Sequence, residues 1–81
     1  MKVTKESVLS KISDYLRDEY YVENFDTSKS LIQDYGINSL DVLKLIISIE
    51  EEFALMIPDE ELSKFSIATI NEIVEFICMF E

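Results

Sequence analysis

Few residues in this chain are able to do chemistry, and one of them is placed unlike the rest. The run Asp34-Tyr35-Gly36-Ile37-Asn38-Ser39-Leu40-Asp41 sets the only glycine three residues before a serine. Glycine admits a positive φ, so the backbone can turn sharply there. Helical apolar periodicity begins straight after Ser39, which places its hydroxyl at the mouth of a helix. Free amides and the positive end of the dipole favour a bound phosphate at such a position. The residues alone leave two roles open for Ser39: an accessible hydroxyl that tolerates a phosphate ester, or a helix cap.

Other chemistries find little support. The chain has no histidine, so it has no imidazole base or ligand. Its one cysteine, Cys78, rules out a disulfide framework or a cysteine-rich metal site. Cys78 lies in Phe76-Ile77-Cys78-Met79-Phe80 with no basic neighbour, where little thiolate forms, so a structural role is expected. Glu50 and Glu51 point to different helix faces and read as solvated, not as a catalytic acid–base pair. A calcium loop fails on spacing, because Gly36 follows Asp34 by two residues where the sixth loop position is required.

Composition narrows the partners. The net charge is −10, from 17 acidic and 7 basic residues, with the excess in the second half: net −2 over residues 1–38 and net −8 over 39–81. Nucleic-acid phosphates and anionic membrane surfaces both call for Lys and Arg, so neither is expected as a partner. Proteins with basic patches are. The stretch Met1-Lys2-Val3-Thr4-Lys5-Glu6 lacks the apolar run of a signal peptide. No apolar stretch approaches spanning length, so membrane insertion is not expected and a cytoplasmic location is. At 81 residues, with 48% hydrophobic content, one domain over 1–81 is the natural organisation. A domain of this size buries roughly 60–65% of its unfolded surface, too little for a deep enclosed pocket.

The elements that must hold Ser39 follow from period and punctuation. A first helix is predicted from Lys5 to Tyr20, capped by Thr4, with Val8, Leu9, Ile12, Leu16 and Tyr20 on one stripe. Residues 21–38 are polar and aperiodic and read as a long loop pinned by Phe25, Leu31 and Ile32. A second helix is predicted from Ser39 to near Phe53, with Asn38 as its cap. Its apolar residues cover more than half the circumference, so some must be enclosed or left as a docking surface. Ile57-Pro58-Asp59-Glu60-Glu61-Leu62 reads as a short helical turn. Thr69-Ile70-Asn71-Glu72 is a capping-box pattern opening a last helix, in which Ile70, Ile73, Val74, Ile77 and Phe80 recur as core.

The run around Ser39 resembles the phosphopantetheine-attachment motif of acyl carrier proteins, usually Asp-Leu-Gly-x-Asp-Ser-Leu. The resemblance continues through Glu50-Glu51-Glu52-Phe53 and Ile57-Pro58-Asp59-Glu60-Glu61 and reaches from the first helix to about Ile77. It implies an all-α fold: a small four-helix bundle with three longer helices, a short third helix and a long loop between the first two. It implies a carrier and not an enzyme. A phosphopantetheinyl transferase, using Mg²⁺ and coenzyme A, would join 4'-phosphopantetheine to Ser39. The arm would hold an acyl or aminoacyl group as a thioester and present it to acyl-activating ligases or synthases with basic docking surfaces. The protein would supply position and recognition. A monomer is expected.

By the same resemblance Leu40, Leu43 and Ile47 are apolar docking positions, each of which has core as its competing role. Asp41 and Glu51 are acidic docking positions, and Ile57 is an apolar contact beside the short helix. Leu45, Ile49, Ile67 and Ile73 are candidates to line a cavity for the acyl chain. Two positions depart from the pattern. Asn38 replaces the usual Asp, and Lys44 stands where an acid is common, which softens the acidity beside the arm. A dedicated pathway with its own partners is therefore expected. Fatty acyl, polyketide, aminoacyl (as in nonribosomal peptide synthesis) and D-alanyl cargoes all use similar carriers. The alternative is a cofactor-free acidic helical module that docks a partner through the second helix.

Overall fold

The computed structural model describes residues 3–80. The first two residues of the Met1–Glu6 stretch lie outside them. Helix α1 spans Lys5–Tyr20, α2 spans Ser39–Phe53, α3 spans Asp59–Leu62 and continues as a 3₁₀ turn over Ser63–Ser66, and α4 spans Ile70–Cys78. The described residues hold no strand, only an isolated antiparallel bridge between Ser30 and Thr69. This is the expected small helical bundle, with three longer helices and one short one. No helix among the described residues is long and apolar enough to cross a membrane.

The caps explain the boundaries. The Thr4 hydroxyl accepts from the Ser7 amide at 3.1 Å, and the Ser7 hydroxyl accepts from the Thr4 amide at 2.9 Å. Thr69 and Glu72 repeat the exchange at the start of α4, at 3.1 and 2.8 Å. Each pair satisfies amides that a helix start leaves without partners. Two helices end on left-handed residues that are not glycine, Tyr21 at φ 57° after α1 and Ala54 at φ 55° after α2. Pro58 is the residue preceding α3, and Asp59, Glu60 and Glu61 form its first turn.

The core forms where the stripes meet: Val8, Ile12 and Leu16 of α1, Val42, Leu45, Ile46, Ile49 and Phe53 of α2, and Ile70, Ile73, Val74 and Ile77 of α4. Leu9 and Tyr20 lie half-buried at its edge, and Phe80 lies half-buried beyond the end of α4. Helix α1 packs on both α2 and α4. Phe65 of the 3₁₀ turn is buried and meets the Phe76 ring edge-on, with centroids 5.4 Å apart, which fastens the short helical segment to α4.

The long connection over 21–38 is more ordered than its polarity suggested. Leu31 is buried, and Phe25 and Ile32 pack half-buried against the core, as expected of its pins. Within it the Ser30 amide donates to Asp34 Oδ2 at 2.7 Å, and the Ser30 hydroxyl accepts from the Gln33 amide at 3.1 Å, closing a turn. Lys29 and Thr27 carbonyls accept from the Ile70 and Asn71 amides, both at 2.9 Å, so the loop completes the first turn of α4.

Candidate functional site

The turn into α2 fixes the backbone on both sides of Ser39. Gly36 adopts φ +66°, the left-handed conformation the sequence called for. Ile37 then enters the core, and its amide donates to the Leu31 carbonyl at 3.0 Å. Asn38 caps the helix: its side-chain oxygen accepts from the Leu40 amide at 2.7 Å, and its carbonyl accepts from the Val42 amide at 3.0 Å. Capping thus falls to Asn38. Ser39 is the first residue of α2, it is exposed, and its hydroxyl has no hydrogen-bond partner among the described residues.

An open groove of about 440 Å³ starts at Ser39. Leu40, Leu43 and Ile46 of α2 line it, together with Leu62 of α3 and Phe65 of the 3₁₀ turn. The residues expected to line a cavity for the acyl chain among the helices lie apart from this groove. Leu45, Ile49 and Ile73 are packed into the core, and Ile67 is 71% exposed on another face. None of the four lines the groove.

The expected docking residues divide. Leu40 is 57% exposed and Ile47 is 42% exposed, while Leu43 is half-buried along the groove. Lys44 and Glu51 are exposed. Asp41 is half-buried, and its Oδ2 accepts a hydrogen bond from the Tyr20 hydroxyl of α1. That bond, with some burial, pushes the Tyr20 phenol up from its ordinary value. Burial first, then the Asp41 charge, pushes Tyr15 up to about 12.

Ile57, expected as an apolar docking contact beside the short helix, lies inside the bundle. It is 5% exposed and belongs to the core. Segment 55–57 is non-helical and alternates, with Leu55 and Ile57 inward and Met56 outward at 88% exposure. A period of two puts neighbours on opposite faces. Met56 is thus an exposed apolar residue that the sequence reading missed; Leu55, Met56 and Ile57 are all apolar, so residue type gave no sign of which one faces outward. Glu50 also departs from expectation. It is half-buried, and its Oε2 accepts from the Ile57 amide at 2.8 Å, so it staples this segment to the end of α2. Glu52 pairs with Lys11 of α1 at 3.3 Å. Of the three consecutive acids, Glu51 alone has no partner among the described residues. Cys78, expected as a buried structural thiol, is half-buried. No cluster of three or more potential metal-ligating side chains occurs among the described residues.

Known proteins share this arrangement. Residues 9–77 match the family described as "Phosphopantetheine attachment site". The chain is 35% identical over 72 residues to the acyl carrier protein of Clostridium acetobutylicum, covering 86% of this chain and 91% of that one. It is 40% identical over 55 residues to the acyl carrier protein of Wolinella succinogenes, covering 68% and 70% respectively. The crystal structure of an acyl carrier protein from Thermotoga maritima superposes with a TM-score of 0.76 at 26% identity, over 94% of this chain and 88% of that one. The chain therefore belongs to the acyl carrier protein family, whose members are carriers and not enzymes and hold a covalently attached 4'-phosphopantetheine.

Proposed function

We propose that Ser39 is the attachment residue, and that the acyl or aminoacyl group rides on a 4'-phosphopantetheine esterified to its hydroxyl. The observation that carries this reading is the state of that hydroxyl, which is exposed, unengaged and set at a helix N-terminus whose capping is done by its neighbour. A phosphodiester there meets the favourable end of the α2 dipole. The residues present suit the group, because the apolar groove beginning at Ser39 offers Leu40, Leu43 and Phe65 to a chain leaving that position. When bound, the arm supplies the thiol that forms the thioester. The protein's own residues hold the attachment point still and present a surface. Tethering cargo in this way raises its effective concentration at a docked active site.

The same reading assigns the docking surface. Leu40 and Ile47, with Leu43 beside them, supply apolar contact, and Glu51 supplies an open charge for a basic partner. Lys44 gives that surface a cation where an acid is usual. Ile57 acts from within, by holding the segment that displays Met56. The partners are a phosphopantetheinyl transferase and acyl-activating ligases or synthases of a dedicated pathway. The protein works as a single-domain cytoplasmic monomer.

Incubation with coenzyme A, Mg²⁺ and a transferase tests the assignment by intact mass. The wild type is expected to gain one phosphopantetheine and Ser39→Ala none. No gain on the wild type, or equal gain on Ser39→Ala, contradicts the assignment and favours a cofactor-free docking module.

A further inference from the structure

Asp41 follows the proposed attachment serine by two residues, and the resemblance makes it an acidic docking position. Its carboxylate does not stand free. Oδ2 accepts the Tyr20 hydroxyl, and the Tyr15 hydroxyl approaches the Asp41 carbonyl at 3.4 Å. The two tyrosine rings brace one another at 5.9 Å between centroids. A polar recess of about 410 Å³ opens at this junction of α1 and α2, lined by Tyr15, Glu19, Tyr20, Asp41 and Lys44. Asp41 is half-buried there.

The outward face of α2 has a different charge pattern. At about 100° per residue, Leu40, Lys44, Ile47 and Glu51 fall within roughly 60° of arc, while Asp41 lies about 100° round from Leu40. All four of those residues are exposed. That face therefore carries one cation and one anion, on a chain whose net charge is −10.

We propose that Tyr20 is a positioning residue that sets docking specificity, holding the Asp41 carboxylate against α1 so that Lys44 and Glu51 remain the charges of the α2 docking face. The bond leaves Asp41 charged but occupies the oxygen that a partner's Lys or Arg would pair with, and releasing the carboxylate restores that direct pair. A mobile carboxylate can pair with a partner's Lys or Arg, whereas one already bonded to a phenol must give up that bond first. The proposal rests on Ser39 being the attachment residue, since it concerns docking around that site.

The test is the rate of transferase-catalysed loading, as kcat/KM with coenzyme A, at low and high salt. A transferase with a basic docking surface is used on the wild type, Tyr20→Phe, Asp41→Asn and the double variant. Tyr20→Phe is expected to raise kcat/KM about threefold at low salt and to steepen its salt dependence, with both changes removed in the double variant. A purely structural role for Tyr20 lowers the melting temperature and leaves the salt slope unmoved, and that result overturns the proposal. So does Asp41→Asn costing the wild type as large a factor as it costs Tyr20→Phe. Should Tyr20→Phe not fold, the comparison of Asp41→Asn with the wild type still decides. Nearly equal kcat/KM at high salt, where long-range attraction is screened, supports the proposal, and a clear loss there in Asp41→Asn overturns it. Absence of any loading on the wild type points instead to failure of the Ser39 assignment.

Discussion

Gly36, Ala54 and Tyr15 each make a prediction that belongs to a single residue. A Cβ added at Gly36 meets nothing within 4 Å, so the cost of Gly36→Ala is conformational alone. Its φ of +66° predicts a loss of about 1 kcal/mol, read from chemical denaturation. Ala54 holds the same left-handed conformation without being glycine. Ala54→Gly is therefore expected to stabilise the protein by about 0.5–1 kcal/mol, and an unchanged or lower melting temperature would count against the cap geometry. Tyr15 ionises at about 12, above its usual 10.0, so folding favours the protonated phenol. Its contribution is fully present below the usual value and is lost as pH rises toward 12. Stability should fall across that window, and less steeply in Tyr15→Phe.

Among elements, the helices were legible and the joints between them were not. Thr4, Asn38 and Thr69 each stand just before a run of helical period, so local side-chain chemistry announced all three long helices. Segment 21–38 hid its order because its partners are remote: the amides it satisfies belong to α4, and its turn depends on Ser30 and Asp34 finding each other. The Tyr20–Asp41 bond joins residues 21 apart in the chain, which no period reveals. The docking role of Ile57 came from the resemblance alone, and residue type could not show that the non-helical stretch 55–57 turns Ile57 inward and Met56 outward. The contrast between adjacent acids tests the element at the end of α2. Glu50 bonds the Ile57 amide, so Glu50→Ala should cost about 1.5–3 kcal/mol, whereas Glu51→Ala should stay within about 0.5 kcal/mol. Equal losses in urea denaturation would show that the staple does not hold segment 54–58.

At the scale of the molecule, charge opposes compactness. A net −10 on 81 residues repels itself, and the exposed ion pairs offset little of this. The Lys5–Glu75 pair at 3.7 Å and the Lys11–Glu52 pair at 3.3 Å link α1 to α4 and to α2. Added salt or magnesium should raise the melting temperature by screening the acids, and a flat or falling value would contradict this. On the proposed reading the same charge frames recognition: an acidic body would bring basic partners in, and the mixed face of Leu40, Lys44, Ile47 and Glu51 would decide among them. If so, the fatty-acid synthase enzymes of the same cell should extend acyl chains on this carrier more slowly than on their own, in a direct comparison of elongation rates.

The central claim concerns the Ser39 oxygen, and the most direct measurement is to locate the modification on protein made in cells that contain a competent transferase. Fragmentation mass spectrometry of a peptide spanning residues 30–44 is predicted to place phosphopantetheine on Ser39 and not on Ser30. Unmodified protein from such cells, or a modification mapped to any other residue, would contradict the account.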